Sequence, residues 1–220
     1  MVPDNDWVTT SDPLLLVQRI HAVLPQTQCT RCGYPDCAAY AQAIATGSAA
    51  INQCPPGGAE GVQRLAAITG LPAPALNAAH GFEGPRNVFI IDEAWCIGCT
   101  LCMKVCPTDA IVGSNKVMHT IIEPYCTGCG LCVPVCPVDC ISFENVSGKR
   151  TGWQAWSQNE ADTALEHYKI HSIRSKQNKP EGLEKPLVSD VQANTVAEDK
   201  KRAVIQAVLA RSRATRQTAV

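Results

Sequence analysis

The sequence predicts an α+β protein in which a small helical module precedes a compact domain of short strands and a partly helical or disordered tail. Three observations support this prediction. Apolar residues recur at helical spacing through residues 11–70. A cysteine-rich segment then repeats with a period of 30 residues, and short apolar runs flank each copy. Residues 150–220 hold 12 Lys and Arg against 8 Asp and Glu, so this tail is basic.

These patterns divide the chain into five predicted segments. In order, they are a disordered N-terminus over 1–10, a helical module over 11–70, a linker over 71–86, the α+β domain over 87–146 and the basic tail over 147–220. The linker assignment depends on its richness in Pro, Ala and Gly. Residues 1–149 carry 7 Lys and Arg against 12 Asp and Glu, so this part of the chain is acidic. The asymmetry predicts that the basic tail docks onto an acidic partner or onto the chain's own acidic part.

The helical module contains three predicted helices. The first begins at the Ser11-Asp12-Pro13 capping sequence and ends before Pro25. The second spans Ala38–Thr46, with Asp36 placed to cap it. The third spans about Ala59–Thr69 and ends at a glycine.

The α+β domain is predicted to hold a cysteine loop, a short helix and a small strand in each repeat. The predicted strands are Val88–Ile91, Ala110–Val112, Val117–Ile122 and Ile141–Phe143. In the tail, Ala161–Lys176 and Ala197–Arg213 are predicted helices, and the polar stretch Asn178–Ser189 between them is predicted to be unstructured.

The two repeats carry the same cysteine pattern. Residues 96–107 read CIGCTLCMKVCP and residues 126–137 read CTGCGLCVPVCP, both of which are C-x2-C-x2-C-x3-C-P. This run holds [4Fe–4S] clusters in bacterial two-cluster ferredoxins, where the fourth cysteine of each run ligates the other cluster. The predicted ligand sets are therefore Cys96, Cys99, Cys102 and Cys136 for one cluster, and Cys126, Cys129, Cys132 and Cys106 for the other. Residues 87–146 are thus predicted to be a double [4Fe–4S] ferredoxin-like domain.

A third cysteine set lies in the helical module. It consists of Cys29, Cys32, Cys37 and Cys54, spaced C-x2-C-x4-C-x16-C. By spacing alone, this set fits either an iron–sulfur cluster or structural zinc. Zinc fits the two later runs poorly, because each places three cysteines in one loop. Disulfides are disfavoured for all three sets, because the cysteines cluster at ligand spacing and the start MVPDNDWVTT does not look like a signal peptide.

Both cysteine regions resemble one known family. Residues 24–58, LPQTQCTRCGYPDCAAYAQAIATGSAAINQCPPGG, resemble the 4Fe-4S module of the B subunit of the Rnf/Rsx electron transport complex. Residues 91–141 resemble that subunit's double-ferredoxin domain, including its Met-His-Thr strand. The resemblance covers roughly residues 12–146. It implies a third [4Fe–4S] cluster on the helical-module set and a role in an ion-pumping, membrane-bound redox complex. The family's B subunit begins with an apolar membrane segment that this sequence lacks, and the tail after residue 150 does not match the family.

These observations predict an electron carrier with three [4Fe–4S] clusters, rather than an enzyme in its own right. We expect it to be cytoplasmic and to pass single electrons from a reductase to an acceptor protein. The alternative is a peripheral subunit on the inner face of the membrane, bound to the membrane subunits of an Rnf/Rsx complex. A minor alternative is a redox-sensing or nucleic-acid-associated protein, although the tail is only weakly basic and no nucleic acid is expected. No stretch approaches the roughly 18 apolar residues of a membrane span, and no phosphate-binding glycine motif is present.

Five residues near the cysteine runs receive structural interpretations. Cys140 is predicted to be a buried inert thiol and His119 a packed or surface histidine. Lys104 is predicted to be solvated. Trp153 and Trp156 follow the ferredoxin-like part and are predicted to pack back onto it.

Overall fold

The computed structural model describes residues 13–177. It is a mixed structure of helices and small sheets, which agrees with the α+β prediction. The predictions for residues 1–10, Asn178–Ser189 and Ala197–Arg213 lie outside the described residues. Within residues 13–177, no helix is both long enough and apolar enough to cross a membrane.

The helical module contains the three predicted helices. They are α1 (Pro13–Ala22), α2 (Cys37–Ala45) and α3 (Gly58–Thr69). The Asp36 side chain caps α2 by accepting a hydrogen bond from the Ala39 backbone N–H at 2.7 Å. Gly70 ends α3 in the left-handed conformation, with φ of 71°. Local capping signals therefore placed each helix to within two residues.

An apolar core holds this module together. Ile20, Leu24, Tyr40 and Leu65 are each at most 1% exposed. The Tyr40 hydroxyl donates a hydrogen bond to the Ala50 carbonyl at 2.8 Å, so its one polar group is paired. The cysteine loop before α2 therefore packs on a hydrophobic core that contains ordinary apolar side chains.

The strands form two small antiparallel sheets. β1 (Asn87–Ile91) pairs with β4 (Ile141–Asn145), and β2 (Ile111–Val112) pairs with β3 (Thr120–Ile121). All four coincide with or overlap the predicted strands. Each sheet joins a strand that precedes one cysteine run to a strand that follows the other run.

The predicted helix of the second repeat is absent from the described structure, so that prediction was wrong. In the first repeat, α4 (Leu101–Val105) forms, and the Lys104 backbone N–H donates to the Thr100 carbonyl at 3.3 Å. Thirty residues later, Pro134 stands in the place of Lys104. Proline has no N–H to donate to the Gly130 carbonyl, so only turns follow that glycine. The Lys104 side chain is exposed, as predicted.

The segment predicted as a linker is tied to its neighbours. Within it, the Glu83 carboxylate accepts hydrogen bonds from the Ala59 backbone N–H at 2.8 Å and from the Thr151 hydroxyl at 2.6 Å. Glu83 therefore connects the start of α3 with the chain that follows β4.

Two tryptophans after the α+β domain are buried, and the predicted partner was wrong for Trp153. Trp153 lies on α5 (Gly152–Ala155), which packs against α3, and the Arg64 guanidinium of α3 stacks 3.9 Å above its ring. Trp156 donates a hydrogen bond from Nε1 to the Pro25 carbonyl at 2.8 Å. Trp153 therefore packs on the helical module, because the chain after β4 returns to α3. The Arg86 guanidinium stacks 4.6 Å from the Trp156 ring and donates to the Cys126 carbonyl at 3.1 Å. Trp156 also lines a cleft with Thr127 and Gly128, so it contacts both parts.

We expect Trp156→Phe to lower the free energy of unfolding by about 1–3 kcal/mol, because the buried Pro25 carbonyl loses its donor. Anaerobic denaturation with guanidinium chloride would measure this loss. The matched control is Phe82→Leu, at a ring that is 77% exposed, and it should stay within about 0.5 kcal/mol of the unmodified protein. Equal stability of the two variants would contradict the assigned hydrogen bond.

The predicted tail helix forms and contacts both halves of the described structure. This helix, α6 (Gln158–Gln177), includes the whole of the predicted range. The Tyr168 hydroxyl donates to Asp36 in the helical module at 2.9 Å. His171 lies 2.8 Å from Asp109 in the α+β domain, and Arg174 pairs with the same carboxylate. The helix therefore bridges the two cysteine-bearing parts.

Candidate metal centres

Cysteines line two cavities in the α+β domain, five in one and four in the other. We call the one with about 270 Å³ of empty space the first cavity and the one with about 300 Å³ the second cavity. The first is lined by the predicted set Cys96, Cys99, Cys102 and Cys136 and also by Cys140, and the second by Cys106, Cys126, Cys129 and Cys132. In each predicted set, three cysteines come from one run and the fourth from the other run. The structure thus brings each predicted set to one cavity and adds Cys140 to the first.

Backbone amides point toward sulfur in both cavities. The Ala110 N–H donates to Cys106 Sγ at 3.2 Å, and the His119 N–H donates to Cys96 Sγ at 3.3 Å. Gly128 lets the second run pass close to β1, because a Cβ at this glycine would overlap the Asn87 carbonyl oxygen. Such N–H groups stabilise negative charge on sulfur, which suits thiolate ligands.

The helical-module set also forms one group. Its members lie in the loop before α2, at the first residue of α2 and in the turn before α3. Burial raises the pKa of the Cys37 thiol to about 12, and the nearby Cys29 and Cys32 thiols add to this rise. Burial likewise raises the pKa of Cys54 well above its usual range, with further contributions from Cys37 and Cys29. Each thiol therefore has the others as close neighbours.

The second cavity shows the same effect across the two runs. Burial raises the pKa of Cys132 to about 12, and the neighbours that add to the rise are Cys129, Cys126 and Cys106. Cys106 belongs to the other run, so the crossed arrangement is visible in the electrostatics as well as in the cavity lining. Buried thiols with such values hold their protons at neutral pH, and binding an iron–sulfur group would release them.

These donor sets fit [4Fe–4S] clusters. Each cavity is lined by its predicted set of four cysteines and by apolar side chains such as Ile91 and Ile141 in the first and Ile111 and Ile121 in the second. Among residues 13–177, no group of three or more His, Cys, Asp or Glu side chains is arranged to hold one metal ion. Four cysteine ligands per cluster is the usual coordination of a [4Fe–4S] centre.

Two residues beside the first cavity have closer contacts with the cysteines than the sequence predicts. His119 is packed, as one of the predicted alternatives holds, but its Nδ1 lies 3.6 Å from both Cys96 Sγ and Cys102 Sγ. Cys140 is buried, as predicted, yet its Sγ lies 3.5 Å from Cys136 Sγ. The signal that identifies both positions is the 30-residue repeat, which aligns them with residues lining the second cavity.

The helical-module set lies next to the second cavity. The Thr127 hydroxyl, between Cys126 and Cys129, donates a buried hydrogen bond to the Thr27 carbonyl at 3.0 Å. Thr27 is two residues before Cys29, and all three of Thr27, Cys29 and Thr127 line one cleft. The loops of two cysteine sets are therefore in direct contact.

Comparison with known proteins supports iron–sulfur domains in both cysteine regions. Residues 89–143 match a family model described as "4Fe-4S dicluster domain", and residues 24–56 match one described as "Putative Fe-S cluster". Both matches include the cysteine loops described above, with Cys54 near the end of the second one.

Several curated relatives are each named as the B subunit of an ion-translocating oxidoreductase complex. The relative from Azoarcus sp. (strain BH72) is 60% identical over 111 residues, which are 50% of this chain and 60% of the relative. The relative from Thiobacillus denitrificans (strain ATCC 25259 / T1) is 58% identical over 107 residues, which are 49% of this chain and 57% of the relative. The relative from Vibrio vulnificus (strain YJ016) is 50% identical over 113 residues, covering 51% and 54%.

The matched region spans about 54–60% of the length of these relatives. Within it, the resemblance predicted from the cysteine motifs is confirmed. The chain carries iron–sulfur domains, and over about half of its length it is similar to the B subunit of ion-translocating oxidoreductase complexes.

Proposed function

We propose that this chain transfers single electrons by means of three [4Fe–4S] clusters. The helical-module set would hold one cluster, and the sets lining the first and second cavities would hold the other two. A [4Fe–4S] cluster supplies reversible one-electron redox chemistry. The observation that supports the proposal is that the twelve predicted ligands lie in three groups within one compact part of the chain, with Cys140 as a further cysteine in the first cavity.

The chain's own residues keep these sets close together and away from water. Each cavity takes ligands from both repeats, so neither run can move without the other. Apolar side chains such as Ile91 and Ile141 wall the first cavity. The hydrogen bond from Thr127 to Thr27 holds the helical-module set beside the second cavity. We propose domain boundaries at residues 11–70, 71–86, 87–146 and 147–220, which the two separate hydrophobic cores support.

The partners and location follow from the relatives. Those relatives are named as a subunit of an ion-translocating oxidoreductase complex. We propose that this chain likewise exchanges electrons with partner proteins of such a complex, at the inner face of the membrane. A free cytoplasmic carrier that links a reductase to an acceptor is the second candidate.

The experiment that tests the cluster count is a metal analysis with a reductive titration of anaerobically purified protein. We expect about twelve irons and about three one-electron equivalents per chain. Cys54→Ser should lower these values to about eight and two, because the helical-module set loses a ligand. The matched control Cys140→Ser should keep all twelve irons, because this thiol is not in a predicted set. About eight irons with one zinc in the unmodified protein would contradict the third cluster.

Fractionation of the native cell separates the two candidate settings. Recovery of the chain with membranes, together with other subunits of an ion-translocating complex, would support membership of the complex. Recovery in the soluble fraction would support the free carrier. Neither result changes the expected iron content.

A further inference from the structure

The two cavities are related by the internal repeat, residue for residue. Every residue that lines the first cavity has a counterpart 30 positions away that lines the second. The three-cysteine loops correspond, as do the isoleucines at 91 and 121 and at 141 and 111. Four positions differ in residue type between the cavities: Ile97 and Thr127, His119 and Phe89, Val138 and Thr108, and Cys140 and Ala110.

His119 is the difference with the largest chemical consequence. Its side chain is 1% exposed, and its Nδ1 lies 3.6 Å from both Cys96 Sγ and Cys102 Sγ, within reach of a hydrogen bond to the large sulfur atom. Its counterpart Phe89 has no polar hydrogen to offer. The first cavity therefore contains a side-chain donor where the second has an apolar ring.

The surroundings of the imidazole favour the tautomer with hydrogen on Nδ1. Nε2 of His119 is buried and has no hydrogen-bond partner. With the hydrogen on Nε2, a buried N–H would lack an acceptor, and the Nδ1 lone pair would face two electron-rich sulfurs. With the hydrogen on Nδ1, the N–H points at sulfur and only a lone pair is left unpaired, which costs less free energy.

The fold leaves a corresponding space beside each cavity for the side chains of His119 and Phe89. Gly113 lies against the His119 ring, and a Cβ at this position would overlap it. The residue thirty positions after Gly113 is Phe143, which pairs with Phe89 across the sheet, with ring centroids 6.1 Å apart. The imidazole fits beside the sulfurs because Gly113 has no side chain.

The hydroxyl groups near the second cavity direct their hydrogens to carbonyl groups, although both also lie near sulfur. Thr108 donates to the Tyr125 carbonyl at 2.7 Å, and its Oγ1 lies 3.9 Å from Cys106 Sγ. Thr127 donates to the Thr27 carbonyl at 3.0 Å and is also within hydrogen-bond reach of Cys129. Because a hydroxyl has one hydrogen, it serves sulfur only at the expense of its carbonyl bond, whereas both contacts of His119 Nδ1 are with sulfur. The first cavity also has the Cys140 thiol, a weak donor, beside Cys136 Sγ.

We propose that His119, whose single Nδ1–H is shared between Cys96 Sγ and Cys102 Sγ, raises the reduction potential of the cluster held in the first cavity above that of its partner in the second. Hydrogen bonds to cluster sulfur stabilise the more negative, reduced state and so raise the potential. This inference rests on the proposed function. The second cavity adjoins the helical module through the Thr127 to Thr27 hydrogen bond. The difference in potential would therefore place the electron on the cluster in the first cavity, which does not share this contact.

The test is an EPR-monitored redox titration of the full, cluster-loaded chain and its His119→Phe variant. The variant copies Phe89, so we expect one of the two ferredoxin-type clusters to become harder to reduce and the other to stay unchanged. A tenfold change in the equilibrium distribution of the electron corresponds to about 59 mV for a one-electron couple, and we expect a shift of about this size. His119→Gln, which keeps an N–H donor, should recover part of it. Phe82→Leu, at a ring that is 77% exposed and lines neither cavity, should leave both potentials nearly unchanged.

A second measurement does not depend on any variant folding. Pulsed EPR of the reduced, unmodified chain, labelled with histidine that carries ¹⁵N only in its imidazole ring, should detect coupling between one cluster and a ring nitrogen. The ring label is needed because the His119 backbone N–H also donates to Cys96 Sγ. Absence of that coupling, or unchanged potentials in a fully loaded His119→Phe variant, would overturn the role of His119. Absence of [4Fe–4S] signals in the unmodified protein would instead overturn the proposed function, so the two failures are distinguishable.

Discussion

A variant in which Cys99 and Cys136 are both replaced by serine is expected to lose about four irons, whereas one lacking Cys99 and Cys106 should lose about eight. Cys99 and Cys136 line the first cavity, so the second substitution removes a ligand from a cluster that is already lost. Cys106 lines the second cavity, so removing it destroys another cluster. The two variants differ only in which fourth cysteine is replaced.

The comparison depends on how iron losses combine: two substitutions in one ligand set remove one cluster, whereas substitutions in two sets remove two clusters. Each single substitution should remove about four irons. Because Cys140 Sγ lies 3.5 Å from Cys136 Sγ, all variants are best made on a Cys140→Ser background, where this thiol cannot replace the lost ligand. Iron analysis of anaerobically purified protein measures the outcome. The reverse pattern, with eight irons lost from the Cys99 and Cys136 variant, would show that each run holds its own cluster.

Removing the clusters is expected to unfold the α+β domain and to leave much of the helical module folded. Five of the nine buried residues in the core of the α+β domain are cysteines: Cys102, Cys106, Cys126, Cys132 and Cys140. The remaining four are Val88, Ile91, Ala110 and Ile111, and the sheets are only two strands each. Metal binding to small domains of this kind contributes about 10 kcal/mol or more, as much as the whole stability of a typical domain.

The helical module differs because its core does not consist mainly of cysteines. Ile20, Leu24, Tyr40 and Leu65 remain packed when the sulfurs lose their iron. Hydrogen exchange measured by mass spectrometry after anaerobic chelation should show near-complete loss of amide protection in β1 and β4. Protection in α1 and α3 should fall much less.

The Cys54→Ser variant provides the control for this experiment. It should keep the protection of β1 and β4 while its helical module loosens around the lost ligand. If chelation left β1 and β4 as protected as in the loaded protein, the clusters would not form part of the core. If α1 and α3 lost protection to the same degree as the strands, the helical module would also depend on metal.

Local signals explain why most elements were predictable. Pro13 begins α1, Asp36 caps α2 and Gly70 ends α3, and each of these signals acts within one helical turn. The missing helix of the second repeat had a local signal as well. Pro134 cannot donate the hydrogen bond that Lys104 makes, and the repeat pattern concealed this difference.

Long-range contacts could not be predicted in the same way. Trp156 bonds to Pro25, which is 131 residues earlier in the chain, and no periodic pattern relates the two. His119 sits beside two sulfurs because Gly113 leaves room for its ring, which depends on how β2 and β3 place these loops. The 30-residue repeat aligns His119 with Phe89, but this alignment does not record that the ring contacts sulfur.

Sequence patterns were enough to predict the cysteine sets, the helices of the first module and the strands of the repeat, because spacing, caps and alternation act over a few residues or recur at a regular period. The contacts between these parts became apparent only from the three-dimensional structure. Three contacts join residues far apart in the chain: the Thr127 to Thr27 hydrogen bond, the packing of His119 against Cys96 and Cys102, and the contacts of α6 with both cysteine-bearing parts. Such contacts depend on the packing of particular side chains in three dimensions, which no one-dimensional pattern records.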